Sequence, residues 1–223
     1  MNDHEFHLMQ LADSFFPSGM FGLSGGLESF VKAGRIKNTG DVLRFVRQQV
    51  KYQVVPCDCA VMAKVMKAAK KDDVARAVAA DNQCYSMRLV QEVRTASARS
   101  GRQLLNTLMH MTSDRFAKKF HAKVEAKASA GTYPACLAVA ASALKIPEAS
   151  ALRMMLYSYC VSVVGSAVRL GIISHLEGQS TLTQLAGDVN SAKTDGTELW
   201  QLAPLAEILQ MRHEEDDLRM FIT

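Results

Sequence analysis

Hydrophobic positions along this chain recur at spacings of three and four, and nowhere do they alternate in twos over the length of a strand. Val42, Phe45, Val46 and Val50 make the first clear stripe, with Gln49 and Gln53 in step, after capping residues at 38–41. Pro56 is expected to end that helix, because proline has no amide hydrogen and crowds the turn before it. Asp58 should open another, through Val61, Met62, Val65 and Met66. Asp72 or Asp73 caps a third, whose stripe of Val74, Ala77 and Val78 weakens at Asp81 before Met87, Val90 and Val93 take over toward Gly101. Leu104, Leu105, Leu108 and Met111 form a further amphipathic stretch, and Phe116, Phe120 and Val124 the one after it.

Residues 131–134 break the pattern. Residues 135–144 are small and apolar, which suits a helix lying close to its neighbours, and Ile146-Pro147-Glu148 restarts the chain in a helix. The apolar run at 154–168, between Arg153 and Arg169, is too short to span a bilayer and is expected at the centre of the bundle. Thr181 and Gln184 suggest a capping box for the next helix. A polar gap at 190–196 precedes Leu199, Trp200 and Leu202, and Pro204 interrupts before Ile208 and Leu209. The pattern therefore predicts an all-α fold, a single-domain helical bundle of roughly eight to ten helices over residues 1–223.

One segment departs from this rhythm. Residues 11–30 collect Gly19, Gly22, Gly25, Gly26 and Pro17 together with Phe15, Phe16, Phe21 and Phe30. Glycine admits backbone angles that other residues avoid, so a shaped turn anchored by buried aromatics is expected, followed by a helix starting near Ser24 with Glu28 in its first turns. Phosphate-loop chemistry is not indicated: a Walker loop places Lys and Ser or Thr after its last glycine, whereas Gly26 precedes Leu27 and Glu28. The glycines lack the spacing of a dinucleotide fingerprint, and Ser24 has no preceding strand to make it a nucleophile elbow.

Composition narrows the picture without redirecting it. With 48% hydrophobic and 22% charged residues the chain is globular, and its polar, acidic beginning with Asp3 and Glu5 does not resemble a signal peptide. Five cysteines, an odd number, suggest reduced thiols in the cytoplasm. Cys57 and Cys59 bracket one residue but have no second Cys or His pair at ligand spacing; they read as two small residues around a helix start, a bridge between subunits being the alternative. His213-Glu214-Glu215 lacks the second His of a zinc-protease helix, and His110 and His121 lie too far apart along a helix to share an ion. No cofactor, metal or catalytic set is assigned. The net charge of +4 is small, although eight Lys or Arg against two acidic residues lie between Arg94 and Lys127. Phe116 and Phe120 among those lysines fit a core stripe with a solvated opposite face better than a nucleic-acid surface. Read from its residues alone, the chain is a helical cytoplasmic interaction protein, with no nucleic-acid or membrane partner.

The opening stretch also resembles the signature of the urease accessory protein UreF family. Leu8, Gln10, Asp13, Ser14, Phe16, Pro17, Gly19, Phe21, Ser24, Gly26, Leu27 and Glu28 stand at matching places. Glu92, Arg94, Ser97 and Gly101 look like the end of the family's middle helix, and Tyr157, Ser158, Val168, Arg169 and Leu170 like its central helix. Pro204, Glu207, Met211, His213, Glu214, Arg219 and Phe221 resemble its carboxyl-terminal motif. The chain departs from the family pattern at residues 171–174, at Tyr133, where a histidine is expected, and at Glu207 and Thr223. The resemblance implies a non-enzymatic helical protein that helps place nickel in urease, dimerises, and bridges a second accessory protein (UreD, also called UreH) and the GTPase UreG on apo-urease. An alternative role is regulation of that GTPase's hydrolysis. The residues expected to face partners are Ser14, Phe16, Pro17, Gly19, Phe21, Ser24, Glu28, Tyr157, Arg169, Pro204, Met211, His213, Glu214, Arg219 and Phe221. Within that set, residues 204–223 are expected to dock the second accessory protein, and the opening turn, with Tyr157 and Arg169, to shape the dimer and the GTPase-facing surface.

Overall fold

The computed structural model describes residues 3–194, 196–213 and 219–222, apart from the side chain of Phe21, and every regular element among them is helical. In chain order these are α1 (Asp3–Ala12), a single 3-10 turn (Met20–Gly22), α2 (Leu27–Lys32), α3 (Thr39–Gln49), a π-helical stretch (Val50–Cys59), α4 (Ala60–Ala69), α5 (Val74–Met87), α6 (Gln91–Met111), α7 (Arg115–Glu125), α8 (Tyr133–Ala143), α9 (Glu148–Arg169), α10 (His175–Ser191) and α11 (Pro204–His213). Taking residues 39–69 as one continuous helix gives ten among the described residues, in one compact domain, which bears out the all-α expectation.

Pro56 does not end its helix. It sits inside the π-helical stretch, and α4 follows without a break, so Asp58 lies mid-helix and begins nothing. A proline ring crowds the carbonyl four residues back, here Tyr52, and a wider turn relieves that contact. The displaced carbonyl is then taken up from outside: the Leu202 amide donates to Tyr52 O at 2.9 Å and the Trp200 amide to Pro56 O at 3.2 Å. The segment between α10 and α11 is thereby laid along the helix.

The centre of the bundle is α8, whereas the sequence pointed to α9. Residues 133–141 of α8 are all buried, and the helix lies chiefly between α4 and α6. Its alanines let those neighbours approach on every side. Helix α9 runs for 22 residues, so length does not distinguish it from a bilayer span; what does is that 56% of its apolar window is buried inside the fold, against α1, α10 and the π-helical stretch. Its outer face leaves Tyr157 and Val161 partly exposed.

Local signals hold where they are strictly local. Asn38 Oδ1 accepts the Asp41 amide at 3.0 Å, and Asp73 Oδ1 accepts that of Arg76 at 3.1 Å. The capping box of α10 is made by Ser174 and Glu177; Thr181 and Gln184 fall inside the helix, where Thr181 donates to the Glu177 carbonyl at 2.8 Å. Helix α6 passes unbroken through Gly101, joining two stretches that the stripe pattern separates. A Cβ at Gly101 would stand 2.2 Å from the Gly131 carbonyl oxygen, so the loop before α8 rests directly on α6. Buried Asp81 of α5 holds that loop by accepting from the amides of Gly131 (2.7 Å) and Thr132 (2.8 Å) and from the hydroxyls of Ser129 and Thr132 (both 2.5 Å).

Candidate functional site

Gly26 adopts φ +88°, a left-handed conformation that turns the opening segment sharply into α2 and brings Glu28 under the chain end. Glu28 Oε1 accepts the Met220 amide and Oε2 the Phe221 amide, each at 3.0 Å. His213 at the end of α11 approaches Glu28 Oε2 through Nε2 at 3.2 Å and Glu92 Oε2 through Nδ1 at 3.1 Å. Arg219 closes the set on Glu92 Oε1 at 2.8 Å, and Lys32 reaches Glu28 Oε1 at 3.2 Å. Burial, the largest single effect on the Glu28 carboxyl, acts to raise its pKa; the Met220 and Phe221 amides, His213 and Lys32 together outweigh it and hold the group below its ordinary value.

The chain end then crosses the opening turn. The Ile222 amide donates to the Gly22 carbonyl at 3.0 Å, and buried Phe221 lies under the Arg169 guanidinium, 4.4 Å from ring centre to carbon. Arg169 also donates to the Ser166 hydroxyl at 3.0 Å, and its burial lowers its pKa. Ser162 and Ser166 of α9 donate to the Leu23 carbonyl at 2.9 and 3.3 Å, tying the same turn to the long helix. Ser24 is fully buried and accepts the Glu28 amide at 3.4 Å.

Five of the residues singled out in the sequence are thus gathered at one place: Glu28, Arg169, His213, Arg219 and Phe221. Others are dispersed. Phe16 belongs to the core, whereas Ser14, Pro17 and Gly19 lie exposed on the opening loop. Phe15, expected as a buried anchor, is 93% exposed, and Phe30 meets Phe45 edge to face at 4.9 Å. Tyr157 is half exposed on α9, about 18 Å along the helix axis from Arg169. Pro204 and Met211 lie exposed on the outer side of α11. Glu214, with the rest of 214–218 and Thr223, lies outside the described residues, as does the Phe21 side chain. Glu92, which resembles a position of the family's middle helix, has no partner that the sequence alone indicates. Nothing local marks a first-turn carboxylate as the partner of a histidine 121 residues away.

Beneath the opening turn is a cavity of about 80 Å³, bordered by Leu23, Gly25, Asp58, Arg88, Tyr133 and Tyr159. Tyr133, standing where a histidine was expected, is buried; its amide donates to Ser97 Oγ at 3.2 Å, and burial pushes its phenol up to about 12. Asp58 and Arg88 are both buried and form an ion pair. Burial drives the Asp58 pKa upward against the pull of that guanidinium, while Arg88, burial notwithstanding, is held above its ordinary value by the Asp58 charge. Cys57 and Cys84 adjoin the pair and hydrogen-bond to each other, which raises the pKa of Cys57 and lowers that of Cys84. Cys59 is buried nearby, with its thiol raised by burial. Neither Cys57 nor Cys59 reaches the surface, so the alternative of a bridge between subunits through them is ruled out in the folded chain.

Taken together, this is an all-α protein whose opening turn is tied to residues 219–222 through Glu28, Glu92 and the Gly22 carbonyl. A UreF family model matches residues 36–186. Proteins named urease accessory protein UreF align over almost the whole chain: one from Trichodesmium erythraeum is 26% identical over 96% of this chain and 94% of its own length, one from Photorhabdus laumondii is 28% identical over 96% of both, and one from Actinobacillus pleuropneumoniae is 27% identical over 97% of both. The chain belongs to the UreF family.

Proposed function

We propose that this protein assists nickel insertion into urease as a non-enzymatic bridge in the cytoplasm, holding a UreD/UreH-type accessory protein and a UreG-type GTPase together on apo-urease, itself as a homodimer. Family membership and the names of the relatives support an accessory role in urease maturation. The observation that carries the bridging role is the two-sidedness of α11. Its inner positions Ala206, Gln210 and His213 are buried, while Leu205, Ile208 and Met211 on the outer side are 44%, 51% and 43% exposed, with Leu202 and Met220 exposed beside them. An apolar stripe held rigidly from behind and left open in front suits helix-mediated docking. Its proposed occupant is the UreD/UreH-type protein. The opening loop, with exposed Ser14, Phe15, Pro17 and Gly19, provides a second surface for the GTPase or for the second copy of the chain, and Tyr157 lies on the outer side of α9 for the same purpose.

The test is co-purification. Removing the chain end would also strip Glu28 and Arg169 of their partners, so point variants on the outer face are preferable. Ile208→Glu combined with Met211→Glu should leave helicity intact and weaken capture of the UreD/UreH-type protein by roughly tenfold or more, as expected for lost interface anchors. Undiminished capture by the folded double variant refutes this docking surface.

A further inference from the structure

The buried group at the junction of the π-helical stretch and α5 has the composition of a metal site. Cys57 and Cys84 are fully buried, Asp58 and Arg88 nearly so, and the two sulfurs and an Asp58 carboxylate oxygen all lie within 4.8 Å of one another. Spacing in the sequence hides the set, since Cys84 arrives from a different helix. The geometry points to a binding site for one divalent transition ion of borderline softness, held by Cys57 Sγ, Cys84 Sγ and a carboxylate oxygen of Asp58. This inference does not rest on the accessory role proposed above.

Three considerations carry it. The first is distance: three atoms no more than 4.8 Å apart have a common centre within about 2.8 Å of each (4.8/√3), so closing to the 2.0–2.3 Å of zinc-like bonds takes roughly half an ångström. The second is charge. Two thiolates, one carboxylate and one guanidinium sum to −2, which a divalent cation cancels, so the buried arginine balances the site where it would otherwise repel an ion. Binding then replaces two S–H bonds by two metal–sulfur bonds and releases two protons to solvent, with no change of oxidation state. The third is ligand availability. Arg88 Nη2 engages Asp58 through Oδ1, and an ionised carboxylate has lone pairs on both oxygens, so one guanidinium contact does not exhaust it as a ligand. Arg88 Nε is buried with no hydrogen-bond partner in the structure, on the wall of the 80 Å³ cavity. A tetrahedral ion with three protein ligands keeps one place for water, and this cavity has room for a water that could also accept from Nε.

The experiment uses the reduced full-length chain, freed of metal by chelation and titrated with cobalt(II), both folded and during refolding. One equivalent should produce a near-ultraviolet thiolate-to-cobalt charge-transfer band, and X-ray absorption should count two sulfur neighbours per cobalt. Cys57→Ser and Cys84→Ser should each weaken binding at least tenfold, whereas Cys160→Ser, on α9, should leave it unchanged. Absence of the band under both conditions would overturn the proposal, as would fewer than two sulfur neighbours, or a band that persists in the Cys57→Ser/Cys84→Ser double variant. The sulfur count needs no variant, so it decides the matter even if the serine substitutions unfold the chain.

Discussion

Glu28 shows how much structure one side chain can organise. A carboxylate buried to 4% exposure accepts two backbone amides of the chain end and adjoins His213 and Lys32. Its pKa is lowered in the fold from an ordinary 4.5, so folding releases protons from this group and its contribution is fully present above 4.5 and fades as the pH falls through the depressed value. Glu28→Gln should therefore cost about 1.5–3 kcal/mol near neutral pH, the range for hydrogen bonds to a charged group. In urea titrations the gap between variant and parent should narrow once the pH drops below 4.5. A gap that stays constant from neutral pH to strong acid would show that the charge is not what holds the chain end. Gly101 offers a second test at this scale. Gly101→Ala drives a Cβ into the Gly131 carbonyl and should destabilise by about 1–3 kcal/mol, as overpacking does. Gly187→Ala in α10, with nothing within 4 Å of the new Cβ, should instead stabilise by about 0.5–1 kcal/mol. Thermal unfolding of the pair checks both signs.

Among the elements, the helix spanning residues 39–69 is the one that sequence rules misjudge, and the reason is instructive. A proline forbids a regular α-turn, but it does not forbid a helix when the freed carbonyl finds another donor and the turn can widen. Here the Leu202 amide supplies that donor from 150 residues away in sequence. Pro56→Ala should let the turn tighten toward α geometry and draw the Tyr52 carbonyl back into the helix. Leu202 would lose its acceptor, and its amide should exchange with solvent at least tenfold faster in hydrogen-exchange measurements. Unchanged protection at Leu202 would mean that the proline is not responsible for the wide turn. The basic stretch between Arg94 and Lys127 resolves in the same way. Phe116 and Phe120 are core residues of α7, while Lys119 and Arg115 face Asp72 at 2.6 and 3.9 Å, an arrangement of buried stripe and solvated face.

Across the whole molecule, what could be read in advance follows the range of the interaction. The helical class, the caps at Asn38 and at Asp72 or Asp73, and the restart at Pro147 depend on residues no more than three or four apart, and the sequence carries them openly. The UreF signature was likewise legible in the order of residues. Which helix occupies the centre was not, because apolarity marks both α8 and α9, and only close packing selects the one with the smaller side chains. The same holds for the meeting of Cys57 with Cys84 and of Glu28 with a chain end 192 residues on. Helical periodicity fixes the face on which a side chain lies, whereas the partner of that face is chosen by how all the helices pack together, a cooperative outcome that no local stretch encodes.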